Sequence, residues 1–114
     1  STPESEENCA VMAVNQLRDF LERGTIKNSV NFPNCDMVTK PGCTRILTAH
    51  ENVPNMVGQV TSILAANKLN IADMHTHHKN NIGYNMIDVD GKVTEDVYNS
   101  IKNISGIKMV RVIE

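Results

Sequence analysis

From Thr44 to the end of the chain, six apolar segments follow one another in the order strand, helix, strand, strand, helix, strand, and this order limits the fold more than any single motif does. The strands read as "TRILTAH" (44–50), "NIADMHTHH" (70–78), "YNMIDVD" (84–90) and "IKMVRVI" (107–113). Between the first two, residues 54–67 repeat apolar positions at three and four residue steps, as a helix does, and a second helix is expected from Thr94 to about Asn103. The turn "KNNIG" divides the middle strands, and Gly91 and Gly106 punctuate the later joins. A βαββαβ order packs most readily as a four-stranded antiparallel sheet with both helices on one face, an α+β fold of the ferredoxin-like kind. Met56, Val57, Val60, Ile63, Leu64, Val97, Ile101 and Ile104 are the helical residues expected to meet that sheet. So small a module is marginal alone and leaves two sheet edges open, so self-association is expected.

Residues 1–43 carry a different pattern. Thr2 is placed to cap a long helix beginning at Pro3, with Glu4, Glu6 and Glu7 near its positive end. Ala10, Ala13, Val14, Leu17, Phe20 and Leu21 form its apolar face, and Gly24 stops it. "TIKNSVNFP" then reads as extended, and "NCDMVTKPGC" as a linker. The chain accordingly divides into a helix with linker, 1–43, and a compact module, 44–114. The Leu17 and Phe20 face is expected to pack on another copy or to fold back on the module.

Net charge −2 with interspersed signs gives no electrostatic footprint for a polyanion, which excludes nucleic acid as an expected partner. No apolar run approaches the roughly 20 residues that span a bilayer. The polar start "STPESEEN" lacks the order of a signal peptide, so the chain is read as soluble and cytoplasmic, with no membrane partner. Cys9, Cys35 and Cys43 are widely spaced and are read as reduced thiols, neither a disulfide framework nor a zinc site.

The stretch "RILTAHENVPNMVGQVTSILAANKLNIADMHTHHKNNIGYNMIDVD" resembles an ACT domain, in particular the serine-sensing one that closes members of the D-3-phosphoglycerate dehydrogenase family. His50-Glu51-Asn52 followed by Pro54, then Leu69-Asn70-Ile71-Ala72, Gly83-Tyr84 and Ile87-Asp88 carry the resemblance, which covers residues 44–114. The first forty residues are similar to the family's last helix of the nucleotide-binding domain and the "VNFP" segment that crosses back towards the substrate-binding domain. The resemblance implies a parent enzyme that uses NAD in serine biosynthesis. It places the family's catalytic His and dinucleotide loop upstream of the stretch matched here. The glycines at 24, 42, 58, 83, 91 and 106 make no G-x-G-x-x-G, so no catalytic residue and no cofactor site is expected within these residues.

The resemblance further implies that His50, Asn52 and Asn70 contact serine. "HENVPN" suits such a ligand, because a helix opening near Pro54 offers unpaired amides to a carboxylate while Asn and His side chains serve an ammonium or hydroxyl. Asn55, Met56 and Val57 at that opening and Ile71 beside Asn70 complete the candidate set. Many relatives have Gly where Asn55 stands, and the Asn side chain is expected either to cap the helix or to occupy room meant for the carboxylate. In a βαβ unit a helix of about 14 residues spans about 21 Å, so His50 and Asn70 fall at opposite ends of one chain. A homodimer or larger assembly, joined antiparallel along the 70–78 edge, brings them together across the interface and gives a regulatory amino-acid site for feedback inhibition. A dimerisation module without ligand is the alternative. His75 and His77 share one strand face, with Asp73 nearby, and read as edge or seam residues rather than as a metal pair.

Overall fold

A computed structural model describes residues 23–26 and 42–114. The elements are β1 (Cys43–Glu51), α1 (Met56–Ala66), β2 (Asn70–Lys79), β3 (Ile82–Asp90), α2 (Glu95–Lys102) and β4 (Ile107–Ile113). The four strands form one antiparallel sheet in the order β2-β3-β1-β4, the expected ferredoxin-like βαββαβ arrangement. β1 and β3 are therefore central, and β2 and β4 are the edges. The long helix and linker expected over 1–43 lie outside the described residues, apart from helical Arg23 and the three that follow, of which Gly24 has φ +76°, and from Gly42 and Cys43, the latter opening β1. The expected packing of Leu17 and Phe20 also lies outside them.

Both helices cover one face of the sheet. Val60 and Leu64 of α1 and Val97 and Ile101 of α2 pack with Ile46, Ile87 and Val89 of the central strands, and Ile63, Ile104 and Ile71 border this core. The opposite face carries Leu47, Ala49, Tyr84 and Met86, against which Ile26 is buried. Tyr84 Oη donates to the Gly24 carbonyl at 2.8 Å and Arg45 Nη1 donates to the Arg23 carbonyl at 3.0 Å, so residues 23–26 lie against this second face. Beneath them, Arg45 and Asp88 form a two-pronged ion pair at 2.7 and 2.9 Å, with the residues only 4% and 1% exposed.

Helix ends follow local chemistry. Thr94 caps α2 by accepting from the Val97 amide at 3.3 Å, with Glu95 and Asp96 in the first turn and Lys102 in the last. At the end of α1, Lys68 adopts φ +59°, and its amide bonds Ala65 O at 3.0 Å while the Leu69 amide bonds Leu64 O at 2.9 Å. This pair of bonds is a Schellman motif with lysine where glycine is usual.

Two boundaries differ from expectation by two residues. α1 begins at Met56, not Pro54, because Asn55 is left-handed at φ 68°, ψ 15° and cannot belong to the helix. β3 begins at Ile82, because the hairpin needs only Asn80 and Asn81 to turn, with Asn80 at φ +55°. A register shift between Ile71 and Asp73 puts a bulge at Ala72 of the edge strand. Beyond the bulge, Asp73, His75 and His77 lie opposite Asp88, Met86 and Tyr84, on the face away from the helices. Met74, Thr76 and His78 are turned to the helix side. Among the described residues no helix is long and apolar enough to cross a membrane.

Candidate functional site

The end of β1 carries His50 into the protein interior, where it is 1% exposed. Its ring lies over Gly83 of β3, so closely that a Cβ at position 83 would collide with it. Nδ1 stands 2.7 Å from the Glu51 carbonyl oxygen, an acceptor, so Nδ1 carries the ring proton. Nε2 is then a lone-pair acceptor, and it is buried without a partner. Asn85, on the same face of β3, donates from Nδ2 to Thr48 Oγ1 at 2.9 Å and likewise leaves its Oδ1 unpaired. Two polar rows therefore cross the helix-covered face towards the edge strand: Thr48, Asn85 and Thr76, then His50, Gly83 and His78.

Beyond His50 the chain is pinned on both sides. The Glu51 amide donates to Gly106 O at 2.9 Å and the Asn52 amide to Asn81 O at 2.8 Å. The first helical bond of α1 runs from the Gln59 amide to Asn55 O at 3.2 Å, so the amides of Met56, Val57 and Gly58 precede it at the positive end of the helix. No side chain caps this end, and no acidic residue lies in its first turn. One end of the sheet thus combines a buried acceptor with uncapped donors, a pairing that suits a small molecule bearing both an ammonium or hydroxyl and a carboxylate.

Of the sequence-selected residues, His50, Asn52, Asn55, Met56 and Val57 are brought to this end. Asn52 and Asn55 are exposed and Val57 is half-buried, its carbonyl accepting from Thr61 Oγ1 at 3.0 Å. The Met56 side chain is buried and packs against Gly106, so this residue offers the site only its backbone. The Asn55 side chain does not cap the helix, because a capping residue needs extended backbone and Asn55 is left-handed. Its Oδ1 instead stands over Gly58, 2.6 Å from where a Cβ would be. Asn70 and Ile71 lie elsewhere. Asn70 pairs with Asp90, to which its Nδ2 donates at 2.9 Å, whereas His50 pairs with Gly83. Along β3 these two positions are about 23 Å apart at the usual rise per residue. Ile71 is half-buried at the border of the helix-side core.

Comparison with known proteins places this geometry. No family model matches the chain. It is 29% identical over 113 residues to D-3-phosphoglycerate dehydrogenase of Haemophilus influenzae, a match covering 99% of this chain and 28% of that protein. The same enzyme of Escherichia coli K12 is 29% identical over 115 residues, with 99% and 28% covered. That of Dictyostelium discoideum is 26% identical over 113 residues, with 99% and 27% covered. The chain therefore spans under a third of the length of these relatives. Among solved structures, the ACT domain from GTP pyrophosphokinase of Chlorobium tepidum superposes with a TM-score of 0.55 at 18% identity, covering 62% of this chain and 96% of that one. The chain has the fold of that ACT domain. A formyltetrahydrofolate deformylase from Pseudomonas putida KT2440 also contains a similar fold, with a TM-score of 0.54 at 15% identity over 62% of this chain and 28% of that one.

The sheet also reveals a neighbour that the sequence concealed. His78 stands across Gly83 from His50, with ring centroids 6.4 Å apart and planes at 74°. Strand alternation alone leaves its side undetermined, and the bulge at Ala72 sends it towards His50 while His75 and His77 go to the other face. His75 Nε2 lies 3.9 Å from Asp73 Oδ1 there. Among the described residues, no group of three or more His, Cys, Asp or Glu is placed to hold a metal ion.

Proposed function

We propose that residues 44–114 are a regulatory amino-acid-binding domain that takes L-serine, or a similarly small amino acid, between two copies of the chain. The observation that carries this reading is the buried, unpartnered Nε2 of His50 at the same end as the uncapped amides of α1. The ligand's hydroxyl or ammonium donates to that nitrogen, and its carboxylate meets the amides opening the helix near Asn55, Met56 and Val57, with Asn52 alongside. Asn70, remote within one chain, is supplied by the other. Antiparallel pairing of two β2 edges about a two-fold axis near Met74 brings the Asn70 end of one copy beside the His78 and His50 end of the other. Each dimer then holds two equivalent sites.

On this reading the parent is a D-3-phosphoglycerate dehydrogenase, a cytoplasmic, NAD-dependent enzyme of serine biosynthesis. Residues 1–43 close its nucleotide-binding domain and lead away from it, and NAD and the catalytic residues belong to the rest of that enzyme. A ligand that favours one mutual arrangement of the subunits by about 1 to 3 kcal/mol regulates a distant active site. A dimerisation module without ligand predicts instead that no amino acid binds.

Calorimetric titration with L-serine separates the two, and complementation tests the shared site. His50→Ala and Asn70→Ala chains each spoil both sites of their own dimers, and each should lose serine binding. In a mixed dimer one site regains both residues, so mixing should restore about half of the wild-type binding capacity per dimer. Absence of any restoration in a verified mixed dimer would sink the shared site.

A further inference from the structure

We propose that His78 is a second recognition residue of this site, and that with His50 it reads a hydroxyl group on the ligand, selecting a β-hydroxy amino acid over its alkyl counterpart. The inference rests on the amino-acid-binding reading above. His50 has its proton fixed on Nδ1 by the Glu51 carbonyl and presents Nε2 only as an acceptor. Gly83, lacking a side chain, lets that ring lean across β3 towards the edge strand, where His78 is the facing residue. An oxygen hydrogen-bonded to one nitrogen of each ring spans roughly 4.5 to 5.5 Å between those nitrogens. Rings with centroids 6.4 Å apart meet that span.

The division of labour follows from hydrogen-bond chemistry. A hydroxyl donates its proton to His50 Nε2 and accepts from an N–H of His78, whose exposed ring on the edge strand turns to offer one. A methyl group in the same place leaves the buried acceptor unpaired, and that loss discriminates more sharply than apolar contact does. His75 and His77 take no part, since they lie on the opposite face.

The test titrates the full 114-residue chain, under conditions where it self-associates, with L-serine and L-alanine. Wild type should bind serine at least about ten-fold more tightly than alanine, and His78→Ala should weaken serine by about five- to twenty-fold while moving alanine by less than about two-fold. Glu95→Gln, a control at the start of α2 and off the β2 edge, should change neither. A serine-to-alanine ratio unaltered by His78→Ala, or a wild type indifferent between the two ligands, overturns the proposal. Failure of wild type to bind either ligand overturns the amino-acid reading itself, and it appears before any substitution is made. Should His78→Ala not fold, imidazole nitrogen NMR of the wild-type chain decides: the His78 signals shift on adding serine but not alanine, and equal response to both counts against it.

Discussion

Position 83 lacks a side chain because the His50 ring occupies the space a Cβ would need. Gly83→Ala should therefore cost about 1 to 3 kcal/mol as an overpacking change, read from the denaturation midpoint, and should abolish the heat of serine binding. A variant as stable as wild type would mean that the ring is not held there. Arg45 and Asp88 form the other decisive residue-scale contact. Asp88→Ala leaves a buried guanidinium without its carboxylate and should cost about 3 to 5 kcal/mol, whereas replacing both residues with apolar ones of similar volume should recover most of that loss. The two contacts differ in how far the sequence foretold them. His50 and Asn52 were singled out because they sit in one short motif with Pro54, but nothing in that motif foretold the approach of the ring to Gly83. Arg45 and Asp88 were not, since they are 43 positions apart and only the β1–β3 register sets them side by side. The unpaired Asn85 Oδ1 was hidden for the same reason.

At the scale of elements, apolar periodicity identified all six segments, and the misplaced ends trace to single backbone conformations. α1 starts late because Asn55 takes the left-handed region, which Gly enters without strain and β-branched residues resist. Asn55→Gly should be neutral or slightly stabilising, while Asn55→Val should lower stability by about 1 to 2 kcal/mol in chemical denaturation. Lys68 holds the same conformation at the other end of this helix, and Lys68→Gly should raise the melting temperature, because the Schellman bonds persist while the strain is removed. The contrast with α2 is informative. There Thr94, expected as the first helical residue, is the cap, and Thr94→Ala should cost about 1 kcal/mol. The bulge at Ala72 had no comparable signature, since "NIADMHTHH" mixes polar and apolar residues on both faces. An extra residue in that strand decides which histidine meets His50.

For the whole molecule, the ferredoxin-like architecture could be read from element order, because few packings bury two helices against four short strands. Assembly could not be read from it to the same degree, since the proposed partner surface is the hydrogen-bonding edge of β2, which carries little side-chain signature. If the site requires Asn70 from one copy and His50 from the other, then ligand binding and dimerisation are thermodynamically linked. Serine at about one hundred times its site Kd stabilises each occupied site by about 2.7 kcal/mol, so two sites should lower the dimer dissociation constant by about four orders of magnitude. Sedimentation equilibrium with and without serine measures this directly, and alanine substitution at Asn70 should erase the shift without unfolding the chain, because that side chain is exposed and bonded only at the sheet's end. Binding confined to a single chain would leave the monomer–dimer balance indifferent to serine, since a ligand with equal affinity for both forms moves no equilibrium. The magnitude of the shift thus reports how much of the pocket each copy lends to the other.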